Sequence, residues 1–179
     1  MSIEKTDNDV GYMVIKGRRW RCANPTIPVP LRQQLVNELM DARRAVKASL
    51  TSGLKADEKI ARARVQCAKV ALGERGGKWW LEQSKQEYIV RVDATIYSLL
   101  KHRSLTSTVC PSEVARVINF QEWRHQMDSV RERAWQLSDF TALSITQKGL
   151  TVEKGIEGPL RLSRGLRFEC LPRFVKYPQ

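Results

Sequence analysis

The sequence predicts a mainly α protein of the α+β class, and three observations predict it. Apolar residues recur at steps of three and four over several long stretches, the period of amphipathic helices. Short alternating segments flank Lys16-Gly17 near the start, and Leu143/Ile145 and Leu160/Leu162 alternate with polar residues near the end, the period of strands. The composition, 42% hydrophobic and 28% charged, is that of a globular chain able to bury a core.

Residues 11–22 read as a short β-hairpin turning at Lys16-Gly17. Pro25, Pro28 and Pro30 hold off regular helix until the last of them, because proline lacks an amide hydrogen and is tolerated only in a first turn. A helix therefore begins near Pro30, with Leu31, Leu35, Leu39, Ala42 and Val46 as its apolar stripe, and stops at Thr51-Ser52-Gly53. Asp57 is the expected cap of a second helix with the stripe Ala61, Val65, Ala68 and Leu72, ended by Gly73. A connection this short makes the two helices an antiparallel hairpin. The following Gly73-Glu74-Arg75-Gly76-Gly77-Lys78 is not a phosphate-cradling loop, since no Ser or Thr follows Lys78 and a helix rather than a strand precedes it. A turn with Trp79 and Trp80 packing their rings is expected instead.

From Gln83 to His102 the positions Ile89, Val92, Ile96 and Leu99 predict a helix with one buried face. Pro111 and Glu113 suit the first turn of another helix capped by Cys110, with Val114, Val117 and Ile118 facing inward. A third helix is expected from Gln121 to Leu137, its core stripe Trp123, Met127, Val130, Ala134 and Leu137. Two strands within Thr141 to Ser163 enclose a loop from Gln147 to Gly158. Helix, helix, helix, strand, loop, strand is the order of a winged helix-turn-helix, with the loop as the wing. The chain then divides into a basic helical-hairpin region at 11–82, a winged-helix domain at 83–163 and a basic-aromatic tail at 164–179. Two structures are open for the tail: extended pairing with the Met13 to Arg21 strands, or a disordered phosphate-binding arm.

Two resemblances accompany these readings. Val109-Cys110-Pro111-Ser112-Glu113-Val114-Ala115-Arg116, Trp123-Arg124, Met127, Val130-Arg131, Ile145-Thr146-Gln147-Lys148-Gly149 and Gly158-Pro159-Leu160-Arg161-Leu162 resemble the bacterial family catalogued as domain of unknown function 3253, over roughly residues 85–163. That resemblance implies a winged-helix fold and brings neither catalytic residues nor a ligand. Gly17-Arg18-Arg19-Trp20-Arg21, Pro30-Leu31-Arg32, Ala42-Arg43-Arg44-Ala45-Val46 and Ala71-Leu72-Gly73-Glu74-Arg75-Gly76 with Trp79-Trp80 are similar to small bacterial proteins labelled Tol-like biopolymer transporters, although Gly77-Lys78 stands where that group has a proline pair. A transport component would carry a membrane segment or export signal, and the sequence offers neither.

Charge points to the partner. The net charge of +12 favours polyanions, because clustered Lys and Arg displace counterions from phosphate backbones. Residues 1–80 hold 16 basic against 8 acidic residues, while residues 81–179 hold 15 against 11, so the excess is concentrated in the first part. Nucleic acid is the expected partner, with double-stranded DNA ahead of structured RNA. On the winged helix the expected contacts are Gln121, Arg124, His125 and Arg131, with Lys148, Arg161 and Arg164 on or near the wing. On the basic region they are Arg18, Arg19, Trp20, Arg21, Arg43, Arg44, Lys47, Arg62 and Lys69, where arginine beside an aromatic also suits RNA. Against this, Glu122, Asp128 and Glu132 balance the arginines of the third helix, Arg124 and Arg131 suit surface ion pairs as well as base contacts, and charged helix faces commonly do no more than stay solvated. A protein-interaction module on the same scaffold is the alternative.

Catalysis, cofactors and metals are not expected. Cys22, Cys67, Cys110 and Cys170 are widely spaced, with only His102 and His125 as histidines, so neither a zinc site nor a disulfide framework is read. Cys110 at a helix start could be a thiolate nucleophile with His125 as base, but no residue is placed to orient that histidine, and a packed cap is the simpler reading. No apolar run is long enough to span a membrane and Glu4, Asp7 and Asp9 replace the basic start of a signal peptide, so a cytoplasmic protein is expected.

Overall fold

The structure, a computed structural model, describes residues 10–173. Within them the protein is mainly helical with two small antiparallel sheets. Strands β1 (Tyr12–Ile15) and β2 (Arg18–Arg21) pair with Met13 opposite Trp20 and Ile15 opposite Arg18. Their turn residues Lys16 and Gly17 have φ of 50° and 71°, the double left-handed geometry that matches strand twist in a two-residue hairpin.

Helix α1 (Val29–Ser52) starts behind Pro28 and stops at Gly53, whose φ of 72° gives the left-handed exit. Helix α2 (Lys55–Leu72) follows at once. Asp57 is not its cap. Gly53 and Leu54 alone make the connection, Leu54 takes the cap position with no side-chain hydrogen bond, and Asp57 and Glu58 lie in the first turn, where the helix dipole favours them. The stripes of both helices are buried where expected at Leu31, Leu35, Leu39, Ala42, Ala61, Ala68 and Leu72. Val46 and Val65 are only half-buried, and Ser49, Cys67, Val70 and Ala71 are covered instead. Glu38, nearly enclosed on α1, accepts two hydrogen bonds from Arg64 of α2 at 2.8 and 3.1 Å, which satisfies a carboxylate otherwise costly to bury.

Helix α3 (Lys85–His102) is the central rod. Ser84 caps it in a reciprocal box with Glu87, whose carboxyl is held below its ordinary range by the backbone and hydroxyl of Ser84. The expected single buried face is a correction. Every residue from Val90 to Leu100 is buried, including Arg91, Asp93, Thr95 and Ser98, because α1 and α2 cover one side and helices α4 (Pro111–Ile118) and α5 (Met127–Asp139) the other. Three of these buried polar groups have partners: Thr95 Oγ1 donates to Arg91 O at 2.7 Å, Arg91 donates to Val117 O at 3.3 Å, and Arg133 of α5 grips Asp93 with two bonds of 2.7 Å, whereas the Ser98 hydroxyl has no hydrogen-bond partner among the described residues. A single apolar cluster runs from Ile27 through all five helices to Leu171.

Helix α4 begins as expected at Pro111, with the Glu113 carboxylate accepting from the Cys110 amide at 2.7 Å. Helix α5 begins later than expected. Residues 121–126 form turns, because Asn119 Oδ1 accepts from the amides of Gln121 and Glu122, both at 3.2 Å, and the following bonds close three residues back rather than four. Val130, Ala134 and Leu137 are core, while Trp123 and Met127 pack against its edge.

Strands β3 (Leu143–Gln147), β4 (Leu150–Thr151) and β5 (Arg161–Arg164) form one sheet in the order β4-β3-β5. Strand β4 lies within the expected loop and folds back on β3 through Lys148-Gly149, with φ of 50° and 84°. A bridge from Val109 to Leu162, with bonds of 2.8 Å each way, ties the stretch before α4 to β5. As far as Arg173 the tail follows neither of the two structures the sequence leaves open for it. Phe168–Arg173 is a short 3-10 helix that packs Phe168 and Leu171 into the core, Phe168 stacking on Tyr97 at 4.9 Å, while among the described residues β1 and β2 pair only with each other. Phe174, Lys176 and Tyr177 lie outside the described residues.

Candidate nucleic-acid interface

The expected contact residues fall into three groups. On β2, strand alternation splits the run Arg18-Arg19-Trp20-Arg21 in two. Arg21 turns inward, donating to Gly76 O at 2.6 Å and Gly77 O at 3.4 Å and lying 5.8 Å from the Trp80 ring, so it fastens the hairpin to the loop after α2. The hairpin also needs Gly11, where a Cβ would collide with Trp80. Trp79 and Trp80 meet edge to face, and the Trp79 indole donates to Cys22 O at 3.2 Å, the packed arrangement expected of that turn. Arg19 lies over the Tyr12 ring at 4.0 Å. Arg18 and Trp20 project from the other face, both exposed, and Lys69 of α2 reaches to 5.9 Å from the Trp20 ring while pairing with Glu74 at 3.2 Å.

Arg43, Arg44, Lys47 and Arg62 gather elsewhere, on the half of the α1–α2 hairpin that extends beyond the core. Arg44 pairs with Asp41 and Arg62 with Glu58 at 2.6 Å, pairs one helical turn apart of the kind that contribute little in water. Arg43 contacts Met40 Sδ at 3.9 Å, and Lys47, Lys55 and Lys59 are exposed on the same helical hairpin. The basic set is therefore two patches, one on the β-hairpin with Lys69 and one at the tip of the helical hairpin.

The third group lies on the C-terminal half and is largely committed to the protein. Gln121, Arg124 and His125 are exposed but stand on the turns before α5 rather than on its first turn. Arg124 lies 4.6 Å from the Trp123 ring, and Arg116 of α4, which the sequence alone did not single out, lies 4.3 Å from it. Arg131 donates to Gly158 O at 2.6 Å, tying α5 to the β4–β5 connection, as Lys154 does through Glu132 at 2.9 Å. Lys148 is exposed at its turn. Arg161 is exposed above Glu113 and helps hold that carboxyl low. Arg164, expected beside phosphate, instead donates to Leu100 O at 2.5 Å, Lys101 O at 3.3 Å and Arg103 O at 2.8 Å, closing the C-terminal end of α3. The outward face of α5 carries Asp128, Glu132, Gln136 and Asp139, and the Lys154 hydrogen bond holds the Glu132 carboxyl below its ordinary range. Periodicity could have found that acidic stripe. The long-range partners of Arg133 and Arg164 leave no local pattern to read.

Cys110 Sγ accepts a hydrogen bond from Ser112 Oγ at 3.0 Å. Among the described residues no group of His, Cys, Asp and Glu is arranged to hold a metal ion, and no helix is long and apolar enough to cross a membrane. No curated protein matches the chain. Residues 90–165, from the buried turns of α3 to just past β5, are similar to the family model described as Protein of unknown function (DUF3253).

Proposed function

We propose that the protein is a non-enzymatic nucleic-acid-binding protein whose phosphate contacts come mainly from its N-terminal half, with α3 to β5 forming a winged helix. The order of elements and the Val109–Leu162 bridge, which lays the segment between α3 and α4 along β5, support the winged-helix reading. The observation that carries the function is the division of charge. Exposed cations gather on the β-hairpin and the α1–α2 tip, while the outward face of α5 is acidic and Arg131, Arg133 and Arg164 are used internally. A negative helix is repelled by a groove lined with phosphates, so duplex DNA would be held through its backbone rather than read through α5. Protein docking is the second reading, favoured by that same acidic face with Phe140 56% exposed beside it.

The test is a titration of the full chain with duplex DNA, single-stranded DNA and structured RNA at several salt concentrations. About five phosphate contacts give a log–log salt slope of roughly −4 to −5. Arg43→Glu, Lys47→Glu and Arg62→Glu together should flatten that slope by about one unit for each phosphate no longer neutralised, and Arg124→Glu with Arg131→Glu should leave it unchanged. A slope that responds only to the second set would move binding to the winged helix, and no binding to any polyanion would leave docking as the surviving reading.

A further inference from the structure

The two faces of the β-hairpin differ in what they touch. Tyr12, Val14, Arg19 and Arg21 share one face, whose base packs on the protein through Tyr12, edge-on to Trp80 at 5.4 Å, and Arg21, bonded to Gly76, while Val14 and Arg19 nearer the turn are exposed. Met13, Ile15, Arg18 and Trp20 share the other. That face is open. Ile15, Lys16, Arg18 and Trp20 line a shallow recess, Trp20 is 46% exposed, and the Lys69 ammonium lies 5.9 Å from its ring. A large aromatic left in water forgoes the burial that Trp79 and Trp80 obtain next door, and here it is ringed by three cations.

We propose that Trp20 is a stacking platform for an unpaired nucleobase, with Arg18 and Lys16 taking the phosphates that flank it. The inference rests on the nucleic-acid reading and narrows its ligand from a phosphate backbone in general to one that offers bases outside a duplex. Every base has a π face, so stacking on an indole needs no particular sequence, whereas bases inside a duplex already stack on each other. Arg18 is two residues from Trp20 on the same face, roughly 7 Å along the strand, within reach of the phosphate of a base lying on the indole. The hairpin turn is Lys16-Gly17 with Arg18 next to it at the start of β2, so charge stands at the tip, an order that suits a phosphate chain better than the interior of a bilayer.

The experiment uses the full chain and three labelled oligonucleotides of matched length: a duplex, a single strand and a stem with an unpaired loop. Trp20→Ala should weaken the single strand and the loop on the order of tenfold and the duplex by less than about twofold, and Trp20→Phe should recover most of the loss. An unchanged melting midpoint for Trp20→Ala, expected because the indole is already half exposed, separates lost stacking from lost folding; a destabilised variant shifts the decision to Trp20→Phe and to quenching of tryptophan emission by the single strand. Equal losses on all three ligands, or no loss on the unpaired ones, would sink the platform and leave the phosphate reading standing. A wild-type chain that ignores all three oligonucleotides would overturn both, and Trp20-dependent binding to phosphatidylglycerol vesicles would reassign the face to a membrane surface.

Discussion

Glu113 holds two helices with one carboxylate. It accepts from the Cys110 amide at the start of α4 and from Arg103 at 2.6 and 3.2 Å just past the end of α3. Burial alone would push its carboxyl up, but the Arg103 and Cys110 hydrogen bonds and the charges of Arg103 and Arg161 outweigh burial and hold it low. A carboxyl whose folded-state pKa lies below its unfolded value stabilises the fold fully above that unfolded value, about 4.3, and loses the contribution as pH falls through the folded-state value. Glu113→Gln should therefore cost about 1.5–3 kcal/mol at pH 7 in urea denaturation, and its gap from wild type should narrow at about pH 3. A gap that stays constant with pH would mean the carboxylate charge is not what matters there. Asp93 runs the other way, with burial raising its carboxyl and Arg133 only partly offsetting the rise.

Helix α3 depends on side chains at both ends, and the far end is the less obvious. Arg164 satisfies carbonyls that a helix terminus otherwise leaves without partners, and its guanidinium also lies 5.3 Å from the Phe168 ring. Arg164→Ala should destabilise the protein by about 2–3 kcal/mol and speed amide exchange in the last turn of α3, while leaving the salt slope of nucleic-acid binding as it was. A flattened slope with unchanged stability would restore Arg164 to the interface. Elements of this kind show what a sequence reveals and what it hides. The stripes of α1 and α2, the prolines at Pro28 and Pro30, Gly53, Gly73 and the Lys16-Gly17 turn were legible because their signals are local. Trp123 stands four residues before Met127, the spacing of a continuing helix, so the Asn119 turn that delays α5 was hidden by a periodic coincidence. Asp93 reads as part of a wet face because nothing nearby announces Arg133. Alternation separates Arg18 and Trp20 from Arg19 and Arg21, yet that Arg21 is the one drawn inward is decided by Gly76 and Trp80, distant in the chain.

At the scale of the molecule the buried cluster is continuous from Ile27 to Leu171, and α3 has no side to spare for solvent between Val90 and Leu100. Removing residues 1–82 would strip the α1 and α2 cover from the buried stretch of α3 between Val90 and Leu100. Aliphatic side chains there lose about 1.5–3 kcal/mol each on exposure, enough together to exceed the typical stability of a domain. Residues 83–179 expressed alone should show no cooperative melting by circular dichroism, and a sharp transition would mean that the two halves fold independently. The grip of Arg133 on Asp93 has a different consequence at this scale. Were α5 to slide one turn along α3, a carboxylate enclosed by apolar neighbours would lose its counter-charge, whereas the aliphatic residues would find substitutes of similar size. The pair thus works as a latch against near-miss packings of the last helix: its contribution lies in the arrangements it forbids.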